Sequence, residues 1–290
     1  MKINKIKEIN KIKQKLLEIE RKRKELNDKI VKHNEKVKNE KIKNKINLYN
    51  KLNKSWILKD NYNSIIPLNF YTCWHTKKLP PLMKQNYDLL VKQNPEFTHH
   101  LYDENECREF IKNNFDEDVL NAYNSLIPCA YKSDLWRYCV LYKNGGIYMD
   151  IKYQCVNNFK LLALTESEYF VKDRPKHMSY NALIVVKPEN QIMLKCINKI
   201  VQNVKTKFYG CDSLYPTGPG LLGSFFSLEE LQNMSICFTD TTIKNKMCEE
   251  YMVFNDTLIL KYYKDYRKEQ AKFQKNKKYG ELWRERKIYK

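Results

Sequence analysis

An acid and a base stand two residues apart near the end of an apolar segment, as Asp150 and Lys152 in the stretch YKNGGIYMDIKY. Side chains alternate along a β-strand, so Tyr148, Asp150 and Lys152 are predicted to project from the same face. Such an acid and base can form a simple ion pair within a sheet. They can also bind a phosphate group together, with the acid acting through a metal ion and the lysine acting directly. The residues alone leave both interpretations open.

A second charged pair, Asp134 and Arg137, lies in the predicted helix CAYKSDLWRYCVLYKN. The two residues are three apart, so their side chains share a helix face. On a protein surface, an ion pair of this kind contributes only about 0.3 kcal/mol to stability. The helix, however, runs through Gly145 and Gly146 straight into the strand that carries the first pair. Because glycine accepts positive φ angles, the chain can reverse there and bring Asp134 and Arg137 beside that strand.

Alternating strand and helix patterns surround these residues. Strands are predicted over 65–75, 97–103, 146–153, 168–174 and 181–188, and helices over 129–144 and 190–204, with further helical segments between 77 and 126. Strands that alternate with helices favour an α/β fold with a parallel or mixed sheet. Ligands of such sheets bind at the carboxyl ends of the strands, which is where Asp150 is placed. The sequence therefore predicts a binding site around Asp150.

Residues 1–55 form a separate and strongly basic segment. They contain no Pro or Gly and carry 19 Lys and Arg against 7 Asp and Glu, a net +12 of the chain's +19. Apolar residues recur at steps of three and four, as in a coiled-coil seam that Arg23 interrupts: Ile9, Ile12, Leu16, Ile19, Leu26 and Ile30. The pattern predicts a long charged helix. A solvated arm, a self-associating coiled coil and an arm that binds an anionic surface all fit it, although the near absence of aromatic residues disfavours nucleic acid.

The central segment AYKSDLWRYCVLYKNGGIYMDIKY resembles the core motif of the family 32 glycosyltransferases. This family contains yeast mannosyltransferases and proteins with a DXD sugar-binding region, and it has members in giant viruses. The motif pieces are Ser133-Asp134, Arg137, Gly145-Gly146-Ile147-Tyr148 and Asp150, with further matches in FYTCWHTKKLPP, YNALIVVKP and YPTGPG. The resemblance covers about residues 65–290.

The resemblance implies a GT-A-type (Rossmann-like) domain over 65–290, in which helices flank a mixed α/β sheet. A long helical arm, residues 1–55, precedes it. The implied activity moves a sugar from a nucleotide-diphosphate sugar to a hydroxyl acceptor, with retention of anomeric configuration. A divalent cation, commonly Mn²⁺, assists this reaction in the family. Glycan, protein and lipid acceptors all stay open.

The resemblance also implies roles for individual residues. Asp134, Arg137 and Asp150 would be the catalytic residues, with Asp134 holding the ribose or the donor sugar. Asp150 would be the first acid of the DXD motif and the metal ligand. The implied donor-binding residues are Trp74, His75, Asp134, Arg137, Gly145, Gly146, Tyr148, Lys152, Asp173 and Asn181. The TGPG loop would lie towards the acceptor.

This sequence departs from the family pattern at Lys152, where the DXD motif has its second acid. Two carboxylates neutralise a divalent cation, whereas a lysine repels it. Three outcomes follow. The cation is retained with the help of another acid such as Asp173, or Lys152 contacts the diphosphate in place of the cation. In the third, the protein binds nucleotide sugars without turnover.

Other features bear on the compartment and the partners. Nine cysteines lack a CxxC pair or a His/Cys cluster, which indicates reduced thiols. No apolar run reaches the roughly 20 residues that cross a bilayer, and the basic N-terminal segment lacks the apolar core of a secretory signal. We therefore expect a cytoplasmic or virion-associated protein with no nucleic-acid partner. A basic protein that binds nucleic acid through residues 1–55 is the alternative from a different functional class.

Overall fold

The structure, a computed structural model, describes residues 2–243, 246–273 and 277–290. The chain divides into two compact units, residues 1–51 with 241–248 and residues 52–240 with 249–290.

The smaller unit is dominated by helix α1, which spans Lys2–Leu52. The predicted long N-terminal helix is therefore confirmed, and the lack of Pro and Gly explains why it runs without a break. Ion pairs at four-residue spacing line its surface, such as Lys22 Nζ with Glu18 Oε1 at 2.8 Å. No helix in the described ranges is long and apolar enough to cross a membrane.

The larger unit alternates helices with strands. Its helices are α2 (Pro81–Gln93), α3 (Glu104–Asn114), α4 (Glu117–Ser125), α5 (Cys129–Asn144), α6 (Gln191–Lys205), α7 (Pro219–Gly223), α8 (Leu228–Asn233), α9 (Tyr266–Phe273) and α10 (Tyr279–Arg284), with a 3-10 helix over Leu161–Leu164. The strands of the chain are β1 (Asn69–Cys73), β2 (Thr98–Tyr102), β3 (Gly146–Met149), β4 (Tyr153–Cys155), β5 (Val171–Lys172), β6 (Leu183–Val186), β7 (Ile236–Ile243), β8 (Lys246–Phe254) and β9 (Thr257–Tyr262). Residues 241–243 of β7 and 246–248 of β8 belong to the smaller unit.

Two sheets organise these elements. The first has the order β2-β1-β3-β6, in which β2, β1 and β3 are parallel and β6 is antiparallel to β3. The second has the order β4-β9-β8-β7-β5. Every residue of the apolar strands β3 and β6 is buried, as expected for central strands covered on both faces. The predicted fold class, a mixed α/β sheet flanked by helices after a long N-terminal helix, is confirmed.

Helix α5 lies at the centre of the larger unit. Its residues Leu135 and Trp136 pack in one apolar core with Ile197 of α6 and Ile184 of β6. A second core forms on Ile147 and Met149 of β3, whose side chains point away from the α5 side. Eight consecutive residues of α5, 134–141, are buried, so its charged side chains are buried together with its apolar ones.

The predicted strand over 146–153 is wrong in one respect. β3 ends at Met149, and residues 150–152 form a turn that carries the chain from the first sheet into β4 of the second. The Tyr153 amide donates to the Asp150 carbonyl at 3.1 Å and closes this turn. Asp150 and Lys152 therefore owe their common direction to the turn and not to strand alternation. The predicted strand over 168–174 is likewise reduced to Val171–Lys172.

Candidate functional site

The two glycines that follow α5 make the reversal that the sequence predicts. Gly145 has φ +61° and Gly146 has φ +110°, which L side chains rarely adopt. A Cβ atom on Gly146 would lie 2.5 Å from the backbone oxygen of Asn69, the first residue of β1. The glycines thus allow β3 to leave α5 and pair closely with β1. They stand at the opposite end of β3 from Asp150, and their contact with the donor stays a prediction.

The reversal brings the helical pair to the end of β3. Arg137 Nη2 lies 3.2 Å from Asp134 Oδ1, and Arg137 Nη1 lies 3.4 Å from Asp150 Oδ1. The guanidinium also lies over the Tyr148 ring, 4.3 Å from its centroid. The Tyr148 hydroxyl donates to Asp150 Oδ1 at 2.8 Å. The predicted meeting of Asp134, Arg137 and Asp150 is confirmed as geometry.

Asp134 is held by side chains from two other segments of the chain. Its Oδ1 accepts from Asn181 Nδ2 at 2.9 Å, and its Oδ2 accepts from Thr217 Oγ1 at 2.7 Å. Asn181 in turn accepts from Arg137 Nη1 through its backbone carbonyl at 2.6 Å. Asp134 and Asn181 therefore fix the position of Arg137, and Thr217 of the predicted TGPG loop belongs to this network. These hydrogen bonds give Asp134 a positioning role toward Arg137, and its contact with the ribose or the donor sugar stays a prediction.

Lys152 faces the same carboxylate from the other side of the turn. Its Nζ lies 2.7 Å from Asp150 Oδ2. Three tyrosine rings surround the ammonium, with centroids at 5.5 Å for Tyr153, 5.5 Å for Tyr180 and 5.2 Å for Tyr262. Aromatic rings at this distance stabilise a cation through the negative potential of their faces. Asp150 is consequently shared by two cations, Arg137 on one oxygen and Lys152 on the other.

The pKa shifts follow from this arrangement. Burial alone raises the pKa of Asp150, but the charges of Lys152 and Arg137 outweigh burial and hold it below its usual value of 3.8. Burial alone lowers the pKa of Lys152, but the Asp150 charge raises it well above its usual value. Burial raises the pKa of Asp134, even though Arg137 favours its charged form. Asp150 and Lys152 therefore stay charged at neutral pH.

A cleft of about 1510 Å³ opens onto these groups. Its lining includes every predicted site residue except the two glycines: Trp74, His75, Asp134, Arg137, Tyr148, Asp150, Lys152, Asp173 and Asn181. The Trp74 indole Nε1 is buried and has no hydrogen-bond partner among the described residues. Asp173 is buried, and its Oδ1 accepts from the backbone amide of Arg174 at 2.6 Å. The structure therefore brings the predicted charged residues and the predicted nucleotide-side aromatics into one cleft.

The tyrosines around Lys152 were not predicted from the sequence. Tyr180 stands beside Asn181, and Tyr262 comes from β9, where it pairs with Tyr153 across an antiparallel ladder. Twenty-one tyrosines are spread through the chain, so no local pattern distinguishes these three. The pairing of β4 with β9 brings Tyr153 and Tyr262 together, although they are 109 residues apart. Tyr180 joins them by accepting from the Tyr153 hydroxyl at 3.0 Å.

Glycosyltransferases with a DXD motif and a GT-A fold generally use a divalent cation, and the residues here fit such an ion poorly. Within the described part of the chain, no three His, Cys, Asp or Glu side chains are grouped to hold a metal. Both Asp150 oxygens are already paired with cations. A divalent ion about 4 Å from the Lys152 ammonium would be repelled by about 8 kcal/mol at an effective dielectric constant of about 20. Asp150 would be the first ligand of such an ion, but Lys152 stands where the DXD motif has its second acid.

Comparison with known proteins finds a matching family for part of the chain. Residues 80–171 match the family described as "Glycosyltransferase sugar-binding region containing DXD motif". The resemblance to DXD glycosyltransferases is confirmed, and the matched region contains α5, the two glycines, Asp150 and Lys152. Trp74, Asp173, Asn181 and Thr217 lie outside it.

Individual relatives come from a giant virus and from fungi. The chain is 32% identical over 82 residues to an uncharacterised glycosyltransferase of Acanthamoeba polyphaga mimivirus, covering 28% of this chain and 33% of the relative. It is 28% identical over 95 residues to inositol phosphoceramide mannosyltransferase 3 of Schizosaccharomyces pombe, covering 33% and 26%. It is 26% identical over 91 residues to the initiation-specific alpha-1,6-mannosyltransferase of Candida albicans, covering 29% and 24%. The matches thus span a quarter to a third of the relatives' length, and their names support glycosyl transfer as the class of activity.

Among solved structures, the PaToxG glycosyltransferase overlaps with a TM-score of 0.43 at 21% identity, covering 55% of this chain and 67% of that one.

Proposed function

We propose that this protein is a glycosyltransferase that moves a hexose from a nucleotide-diphosphate sugar to a hydroxyl acceptor. The observation that carries the proposal is the meeting of Asp150 with Arg137 and Lys152 in one large cleft. The matched sugar-binding region contains all three residues and supports the same conclusion. Retention of anomeric configuration is part of the proposal and is expected from the family.

The chemistry needs positive charge at the place where the diphosphate leaves. Bond breaking at the anomeric carbon puts an electron pair on the diphosphate oxygen, and a fixed cation there lowers the barrier. Arg137 and Lys152 supply two such cations. Asp150 holds both in place, and Asp134 fixes Arg137 through the contacts described above. Trp74 and His75 line the same cleft and are proposed to flank the nucleotide.

Two of the relatives are mannosyltransferases by name, so a nucleotide-diphosphate mannose is the first donor to test. The acceptor is proposed to be a glycan or another hydroxyl-bearing molecule. The family resemblance implies Mn²⁺ as the cation. Each donor is therefore assayed both with Mn²⁺ and with EDTA.

The proposal is tested by release of nucleotide from a panel of UDP- and GDP-sugars. We expect the wild-type protein to release nucleotide from at least one donor, and Asp150→Asn to lose about 100-fold or more of that rate. Asp88→Asn on α2 is the matched control, because Asp88 is an exposed acid paired with Lys84 at 2.7 Å. Turnover by Asp150→Asn equal to that of wild type would refute the site. Nucleotide binding without any turnover would favour the alternative that the protein binds nucleotide sugars but does not transfer the sugar.

We further propose that α1 associates with a second copy of itself. The seam residues are exposed, for example Ile12 at 55% and Leu26 at 59%, although they recur at coiled-coil spacing. Light scattering of the full chain should give the mass of an oligomer, and a Leu16→Lys and Leu26→Lys double variant should give the monomer mass. A wild-type chain that stays monomeric at every concentration would exclude this assembly.

A further inference from the structure

Lys152 occupies a position in the turn that is fixed from several sides. Its backbone carbonyl accepts from the Tyr263 amide at 3.0 Å, which ties the turn to the segment after β9. Its ammonium lies among the three tyrosine rings and 2.7 Å from Asp150 Oδ2. The Lys152 side chain is 16% exposed, and it lines the cleft. A flexible surface lysine has none of these restraints, so this ammonium is preorganised at the site.

Asp150 and Lys152 together carry the same net charge as a DXD site with its metal ion bound. Two carboxylates and one divalent cation sum to zero, and Asp150 with Lys152 also sums to zero. Arg137 and Asp134 form a second neutral pair beside them. A diphosphate entering the cleft would therefore meet the same net charge that a metal site presents. In this chain the positive charge is carried by the Lys152 ammonium, which has three hydrogen-bond donors.

We propose that Lys152 takes the place of the divalent cation, so that the nucleotide diphosphate binds and leaves without a metal ion. This inference rests on the proposed function. In the transfer step the bond between the anomeric carbon and the diphosphate oxygen breaks, and its electron pair stays on the diphosphate. A bond forms between the anomeric carbon and the acceptor oxygen, and the acceptor proton passes to the released diphosphate. Lys152 keeps its protons throughout and hydrogen-bonds to the departing oxygens, with Arg137 beside it.

Calorimetry with UDP and with GDP tests this inference on the full chain. We expect the wild-type affinity to be the same in Mn²⁺ and in EDTA. Lys152→Met should weaken binding by about tenfold or more, because it removes a charge-assisted hydrogen bond, and added Mn²⁺ should not restore it. Lys84→Met is the matched control, since Lys84 is an exposed lysine that pairs with a single acid on its own helix. This control should bind as wild type does.

A second variant, Lys152→Asp, restores the acid pair and gives a readout that needs no donor. Electron paramagnetic resonance of Mn²⁺ should show binding to Lys152→Asp and none to wild type. Wild-type nucleotide binding that is lost in EDTA and regained with Mn²⁺ would overturn the inference while leaving the proposed function intact. Unchanged nucleotide affinity in Lys152→Met would overturn it as well. If neither UDP nor GDP binds wild type in either buffer, the donor site fails and the inference fails with it.

Discussion

Helices α1 and α5 each carry an acid and a base at helical spacing, and the environments of these two pairs are opposite. In α1, Arg21 and Glu25 are 3.7 Å apart, with side chains 71% and 62% exposed. In α5, Arg137 and Asp134 are 3.2 Å apart, with side chains 7% and 11% exposed. The first pair is solvated and screened by salt. The second lies in a low-dielectric interior, where a charge must be paired.

The comparison teaches that spacing alone does not make a site. The neighbours of α5 remove water from its pair, and the turn after β3 brings a third charged group, Asp150, within 3.4 Å of Arg137. The pair in α1 forms within one helix at four-residue spacing, and both of its side chains stay exposed. A functional acid–base pair is therefore recognised by what the surrounding elements add to it.

The largest expected effect comes from breaking the buried pair. Arg137→Met should lower the free energy of unfolding by about 3–5 kcal/mol, because it leaves the buried Asp134 without its cation. Arg21→Met in α1 is the matched control and should change it by less than about 0.5 kcal/mol. Chemical denaturation of both variants measures the difference. Equal effects of the two substitutions would break the comparison.

A smaller effect is expected from the turn that distinguishes α5 from α1. Gly146→Ala should destabilise the protein by about 1–3 kcal/mol, since its φ of +110° and the Asn69 oxygen at 2.5 Å both oppose a Cβ atom. Gly280→Ala in α10 is the control, because its nearest atom would lie at 3.8 Å. Thermal unfolding followed by circular dichroism compares the two. A Gly146→Ala protein as stable as Gly280→Ala would show that the reversal does not need glycine.

The smallest effect is expected on the exposed helix. Glu18→Gln removes the partner of Lys22 and should cost about 0.2–0.5 kcal/mol at low salt. At 1 M salt the cost should vanish, because the screening length falls to about 3 Å. Denaturation at the two salt concentrations checks this. A cost that survives high salt would mean that Glu18 does more than pair with an exposed lysine.

Much of the frame around the site could be predicted from the sequence. The helix over 129–144 agrees with α5 at both ends, because Pro128 precedes it and Gly145 ends it. The glycine pair also predicted the reversal that joins Arg137 to Asp150. Local signals were sufficient there because the helix, the turn and the strand are consecutive in the chain.

The rest depends on contacts between distant segments. Strand periodicity placed Lys152 on a strand, but the chain changes sheets at that point, and the change depends on pairing with β9 about 110 residues later. Asp134 has two hydrogen-bond partners from distant segments: Asn181 is 47 residues away and Thr217 is 83 residues away. No spacing rule encodes such contacts. The boundaries of the two predicted domains, 1–55 and 65–290, and the compartment stay predictions.

The most direct test of the central claim is a crystal structure with the nucleoside diphosphate that binds. We predict diphosphate oxygens within about 3 Å of Lys152 Nζ, beside Arg137 and inside the large cleft. A smaller pocket of about 470 Å³, lined by Lys77, His99, His100 and Glu106 among others, offers the alternative location. A diphosphate bound there, or anywhere away from Asp150, would contradict the account.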